Sequence, residues 1–203
     1  VLVVLAGAVA GGWYYIGQQD QKASVDFTKA VRTLDTPLRP PGTPAQPDFP
    51  TFASAKERAT EAHKQFQGIV DKYPHTRASE FAHYFLGLTA ADMGDNSGAE
   101  RELKEVASSG RDDLAALAKF ALASIYRQTN RDKEAIDLYK RLIDKPSQTV
   151  AKATAQMELA RLYQEKQQPG EAKRIYEQVQ KENPNTEVAS LASSKLAELA
   201  KQQ

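Results

Sequence analysis

The chain has 203 residues, and its 27 Lys and Arg side chains nearly balance 26 Asp and Glu, so the formal charge is +1. This balance argues against nucleic-acid binding, which needs a basic surface to displace the counterions of the phosphates. The chain contains no cysteine, which excludes disulfides, thiolate metal sites and cysteine nucleophiles within these residues.

Residues 1–17 contain no charged side chain, and the first charged residue is Asp20. The aromatic triplet Trp-Tyr-Tyr at 13–15 lies near the end of this segment, as is typical of a membrane–water boundary. We expect a transmembrane helix over 1–17, with a cleaved signal peptide or a buried core helix as the alternatives. Gly7 and Gly11 form a GxxxG pair, which predicts close packing with a partner helix in the membrane.

The flank that follows, residues 18–22, carries one acid and one base. It therefore lacks the excess of Lys and Arg that marks a cytoplasmic flank. We expect a single-pass protein whose later residues face the periplasm, with a basic cytoplasmic segment upstream of Val1.

Residues 18–36 have the pattern of an amphipathic helix. Four apolar residues follow the i, i+3, i+4, i+7 spacing that places them on one helical face. They are Phe27, Ala30, Val31 and Leu34. We expect this helix to lie next to the membrane, or to extend the membrane helix outward as a stalk.

A proline-rich segment separates this helix from the rest of the chain. Six of the ten prolines lie within 37–50, and proline interrupts the backbone hydrogen bonds of helices and sheets. We therefore predict an extended linker or a wrapping loop over 37–52.

From residue 53 onward the sequence is periodic, with similar segments 36 or 37 residues apart. Each segment has an alanine followed four places later by a large apolar or aromatic residue. A leucine followed directly by a small residue, here called a Leu–small pair, precedes each of the last three alanines. The repeat alanines are Ala62, Ala99, Ala135 and Ala172, and the pairs are Leu86-Gly87, Leu122-Ala123 and Leu159-Ala160. Repeats of this length predict stacked helical hairpins, because a single hairpin cannot bury its own apolar face.

The periodicity predicts an all-α fold in which an α-solenoid of helical hairpins spans 53–203. Three complete hairpins are expected over 80–185, with an unpaired second helix over 53–74 and a capping helix over 186–201. The repeat alanines are expected at the helix crossings, where small side chains allow the two helices of a hairpin to approach closely.

The pattern resembles the tetratricopeptide repeat, with His83 and Lys119 at the position of the consensus tryptophan in the first two complete repeats. This resemblance implies helical hairpins that present a surface for binding other proteins. His83 is then expected to pack at its repeat position.

A narrower resemblance covers nearly the whole chain. An apolar segment ending in Gly-Trp-Tyr-Tyr at 12–15, a Gln-rich exit, an amphipathic helix over 22–34 and degenerate repeats are similar to the layout of YfgM-type ancillary subunits of the SecYEG translocon. The proline-rich insertion at 37–50 departs from that layout. The resemblance implies a protein of the bacterial inner membrane whose periplasmic repeat domain meets chaperones and emerging polypeptides.

These features predict a membrane-anchored, non-enzymatic interaction protein that binds the SecYEG translocon, periplasmic chaperones or emerging polypeptides. The alternative is a structural accessory subunit that braces a larger membrane or cell-envelope complex. The sequence has no phosphate-binding loop, GxSxG elbow or HExxH pair that would support an enzyme. His63, His75 and His83 stand in no metal-binding pattern, so we expect no catalytic residue, no cofactor and no metal ion.

In stacked hairpins the first helices line a concave face, and the side chains that point into it select the ligand. The residues expected there are Phe81, Tyr84, Leu88, Asp92, Leu117, Phe120, Ser124, Arg127, Met157, Arg161 and Gln164. Aromatic side chains in this set are suited to anchor apolar segments of a partner. The alternative is that they pack beneath a neighbouring helix or the proline-rich segment.

Overall fold

The computed structural model describes residues 2–44 and 51–201, with side chains from residue 17 onward. Within these residues the chain forms nine α-helices and divides into two compact units, Val1–Val106 and Ala107–Gln203. The first unit holds α1 Leu2–Asp35, α2 Ala55–Lys72, α3 Arg77–Met93 and all but the last residue of α4 Asn96–Ala107. The second holds α5 Asp112–Gln128, α6 Asp132–Asp144, α7 Lys152–Glu165, α8 Pro169–Glu182 and α9 Glu187–Ala200. The predicted all-α fold and its helical repeat are confirmed.

The three predicted hairpins are α3/α4, α5/α6 and α7/α8, and each turns through one residue in the left-handed region. These residues are Gly94 (φ 88°), Asn130 (φ 58°) and Gln167 (φ 56°). In each turn the next amide donates to a carbonyl five residues earlier, at 2.9, 2.7 and 2.9 Å. This bond pattern satisfies carbonyls that the helix end leaves without a partner. Glycine and asparagine adopt the required φ at low cost, whereas Gln167 does so against its preference.

The repeat alanines lie at the helix crossings, as the sequence predicts. All four are fully buried, at 0% exposure. The leucines of the Leu–small pairs are buried as well, at 1% for Leu86 and 3% for Leu122 and Leu159. Small and branched side chains therefore interlock at each crossing and set the separation of the paired helices.

The predicted unpaired helix over 53–74 is wrong, because α2 has a partner in α1. Phe27, Val31 and Leu34 of α1 pack against a core cluster that includes Phe66 and Ile69 of α2. The predicted apolar face of α1 is therefore present, and it packs against α2 and α3. A hydrogen bond supports the contact, since the Tyr73 hydroxyl donates to Asp26 Oδ2 at 3.0 Å.

The expected membrane helix over 1–17 and the amphipathic helix over 18–36 form one uninterrupted helix, α1. Among the residues that the structure describes, no helix combines the length and the apolarity needed to cross a membrane. The predicted packing contact of Gly7 and Gly11 lies outside the residues whose side chains are described.

The proline-rich segment is closed at its base. Leu38 and Phe52 form an isolated parallel bridge, in which the Arg39 amide donates to the Phe52 carbonyl at 2.7 Å and the Phe52 amide donates to the Pro37 carbonyl at 3.3 Å. The tip, 45–50, lies outside the described residues. The described ends favour a wrapping loop over an extended spacer, because they bring the start of α2 back beside the end of α1.

Enlarging an alanine at a crossing should destabilise the protein. We expect Ala135→Leu and Ala172→Leu each to lower the free energy of unfolding by about 1–3 kcal/mol, because a close-packed crossing has no room for the added atoms. Thermal and urea denaturation of the whole chain measures the change. Ala197→Leu, at an exposed helical position of α9, is the matched control and should change stability little. Wild-type melting of both crossing variants would contradict the assigned packing.

Candidate protein-binding surfaces

In the first unit, the predicted ligand-facing aromatic residues join an internal cluster. The ring of Phe81 lies 6.2 Å from the ring of Phe27 on α1. Phe27 also contacts Phe66 at 5.7 Å and Phe85 at 5.6 Å, and the last two rings stack at 4.9 Å. Phe81 is therefore held against a neighbouring helix, which is the alternative that the sequence left open for it.

Tyr84 and Leu88 lie further along the same side of α3. Both are half-buried, and the ring of Tyr84 meets Phe85 edge-on at 5.5 Å. Burial raises the pKa of the Tyr84 hydroxyl, so the phenol remains protonated at neutral pH. Asp92 is exposed at the end of α3. These three residues leave a mixed apolar and polar surface on the first unit.

In the second unit, Phe120 of α5 packs against α6, the other helix of its hairpin. Its ring meets Tyr139 of α6 at 5.8 Å in a T-shaped arrangement. Tyr139 is 1% exposed, whereas Phe120 and the neighbouring Leu117 remain half-buried. Met157 on α7 is also half-buried. Part of each of these three apolar side chains is therefore open to a ligand.

Two predicted ligand-facing arginines are joined by two glutamates. Arg127 of α5 lies 3.2 Å from Glu158 and 3.6 Å from Glu165, both on α7. Arg161 of α7 lies 3.5 and 3.4 Å from the same two carboxylates. The side chain of Arg127 is only 14% exposed. The four charges cancel, so this part of the surface carries no net charge.

The charge network lies near buried Tyr139. Burial, and next the carboxylate of Glu158, raise the pKa of Tyr139 to about 12. The phenol is neutral across the physiological range, and its ring packs against Phe120.

Glu158 and Glu165 were missed in the sequence analysis, although their spacing contains the signal. They lie three residues before and four residues after Arg161, the separations at which helical side chains meet. The predicted residues Phe81, Tyr84, Leu88 and Asp92 belong to the first unit, and the remaining candidates belong to the second. A groove continuous across both sets stays a prediction.

The three histidines have different surroundings. His63 Nδ1 lies 2.9 Å from the Thr89 hydroxyl, and His75 is exposed. His83 is half-buried, and its Nδ1 lies 3.0 Å from Glu102 Oε2 on α4. Glu105 offers a further oxygen nearby.

Comparison with known families agrees with the repeat geometry. Residues 1–140 match the family described as tetratricopeptide repeat-like domain, and residues 154–186 match the tetratricopeptide repeat. The search of curated proteins gives no match. The match over 1–140 includes α1, which agrees with the packing of α1 on α2 and α3. Since this match covers more than half of the chain, the protein belongs to the tetratricopeptide repeat-like family.

Proposed function

We propose that this protein is a non-enzymatic binding protein that holds an apolar segment of a partner polypeptide on the first helices of its second unit, α5 and α7. The observation that carries the proposal is the neutral, pre-paired charge network of Arg127, Arg161 and two glutamates beside the half-exposed side chains of Phe120 and Met157. Tetratricopeptide repeats bind proteins or peptides, which supports the general class.

The chemistry of this surface favours an apolar ligand over a strongly charged one. Each arginine already contacts two carboxylates, so a charged ligand would have to displace an existing partner. Phe120 and Met157 offer apolar area that a ligand can bury without this cost. Exposed apolar segments are typical of unfolded polypeptides, so the proposed ligands include emerging secretory polypeptides.

The resemblance to ancillary translocon subunits supports a more specific proposal about the partners. In it the protein is held at the SecYEG translocon and meets periplasmic chaperones and emerging polypeptides. The competing function is a brace inside a larger envelope complex, which requires the same surface to be permanently filled.

Removing the aromatic ring at position 120 should weaken peptide capture. Phe120→Ala is expected to reduce binding of apolar peptides several-fold, because the half-exposed ring is the largest apolar group on this surface. Fluorescence anisotropy with labelled apolar peptides measures binding, and a parallel melting curve of the full chain measures stability. Leu191→Ala, an exposed apolar position at 50% exposure on α9, is the matched control and should retain binding.

The two readouts separate the possible roles of Phe120. Loss of binding with small loss of stability supports the binding role. A loss of about 3–5 kcal/mol is typical of truncating a core phenylalanine, and would contradict it. Unchanged binding and stability would place the partner surface elsewhere on the chain.

Breaking the charge pairing should change which peptides bind. Glu158→Gln removes a carboxylate from both arginines, so we expect tighter binding of acidic peptides with a new dependence on ionic strength. Stability should fall by about 1–3 kcal/mol, as for a lost hydrogen bond to a charged group. Asp137→Asn, which breaks the exposed pair with Arg141, is the control. An unchanged preference in Glu158→Gln would show that the network does not select the ligand.

The membrane attachment and periplasmic location are proposed from the uncharged segment 1–17 and from the resemblance. Carbonate extraction of bacterial membranes should leave the chain in the pellet, and a periplasm-specific reporter fused after Gln203 should be active. Replacing 1–17 with a cleavable signal sequence is the control, and it should release the protein. Recovery of the unaltered chain in the soluble fraction would contradict this proposal.

A further inference from the structure

The first complete hairpin contains a group of metal-ligating side chains at its seam. His83 on α3 and the pair Glu102 and Glu105 on α4 offer ligand atoms that all lie within 4.8 Å of one another. The two glutamates are three residues apart, so they lie on the same side of α4. The imidazole and the nearer carboxylate are already 3.0 Å apart.

Glu102 is unusual for its position in the repeat. The corresponding residues of the next two hairpins, 36 and 73 places later, are Leu138 and Ile175. The repeat therefore accepts an apolar side chain there, yet α4 carries a carboxylate that is only 16% exposed. Desolvating a carboxylate is costly unless a cation or strong hydrogen bonds compensate for it. The repeat pattern therefore does not require a carboxylate at position 102.

The positions of His83 and Glu105 also change between hairpins. In the third hairpin they are Gln156 and Gln178, and both amides donate to Glu182, at 3.1 and 2.9 Å. Side chains at these two positions thus converge on one point in that hairpin. In the first hairpin the same positions supply an imidazole and a second carboxylate.

The backbone around the cluster is held in place. A Cβ at Gly87 would lie 2.5 Å from Cγ of Leu103, so the two helices cross here at close range. Leu103 is fully buried and directly follows Glu102. Arg101 donates to Oε1 of Glu102 at 3.2 Å, while Oε2 faces His83. One carboxylate oxygen is therefore oriented toward the cluster before any ligand binds.

We propose that His83, Glu102 and Glu105 form a binding site for a first-row divalent transition metal ion such as Zn²⁺. One imidazole nitrogen and carboxylate oxygens are ligands that this class of ion accepts in proteins. A dication at this point would offset the charge of the two carboxylates and take the place of the direct contact between His83 and Glu102. Because the ligands come from both helices, the bound ion links α3 to α4 and stabilises the hairpin.

Zinc titration of the untagged full chain tests the site. Isothermal titration calorimetry should detect one bound Zn²⁺, and the melting temperature should rise with zinc concentration, because the ion binds the folded state. His83→Gln and Glu105→Gln should each weaken zinc binding about 10-fold or more. Both substitutions introduce the residue that the third hairpin carries at the same position, so we expect the helices to form in both variants. His75→Gln, at an exposed position, should bind zinc as the wild type does.

The proposal is overturned if the wild type binds no zinc, or if either seam variant retains the wild-type affinity. Circular dichroism of each variant without metal checks that the helices are intact. A variant that melts normally without zinc but loses the zinc-dependent rise in melting temperature supports the site directly.

Discussion

The close crossing of paired helices at small side chains is the constraint on which each hairpin depends. Ala99, Ala135 and Ala172 leave no exposed surface, and the larger residue four places later fills the space that each alanine opens. Phe66, Leu103, Tyr139 and Tyr176 are all buried to 1% exposure or less. Since the crossing fixes the helix separation, it also fixes which outward positions of the two helices can meet.

The packing at a helix crossing also positions side chains of the proposed binding surface. Tyr139 is packed beside Ala135 in its helix, and its ring in turn supports Phe120 at 5.8 Å. The same packing raises the pKa of Tyr139 to about 12, chiefly by burial, so the support does not ionise. A change at the crossing would therefore move Phe120 as well as lower stability, which is why binding and melting must be measured together.

Sequence periodicity predicted the hairpins because the crossings repeat the same residue types at a constant interval. It did not predict the partner of α1, since the proline-rich segment breaks the interval: Phe27 and Phe66 are neighbours in space but lie on opposite sides of that segment. Apolar character alone could not distinguish a stripe that faces α2 from one that faces a membrane. The ion pairs of Arg127 also could not be predicted from the sequence, because they depend on how α5 and α7 lie beside each other.

The positions that periodicity leaves unspecified are the ones where the hairpins differ in chemistry. Next to the same type of crossing, the first hairpin places His83 beside a carboxylate, the second places Lys119, and the third places Gln156. In the third hairpin the amide nitrogen of Gln156 donates to Glu182. The pKa of Glu182 falls to about 2 because two amides and Lys152 donate to it. In the first hairpin Glu102 contacts both His83 and the exposed Arg101, and Glu105 lies nearby. The repeat accepts different side chains at these positions, so its packing does not require an imidazole and two carboxylates to lie together. A ligand bound between α3 and α4 would give a physical reason for this group of side chains.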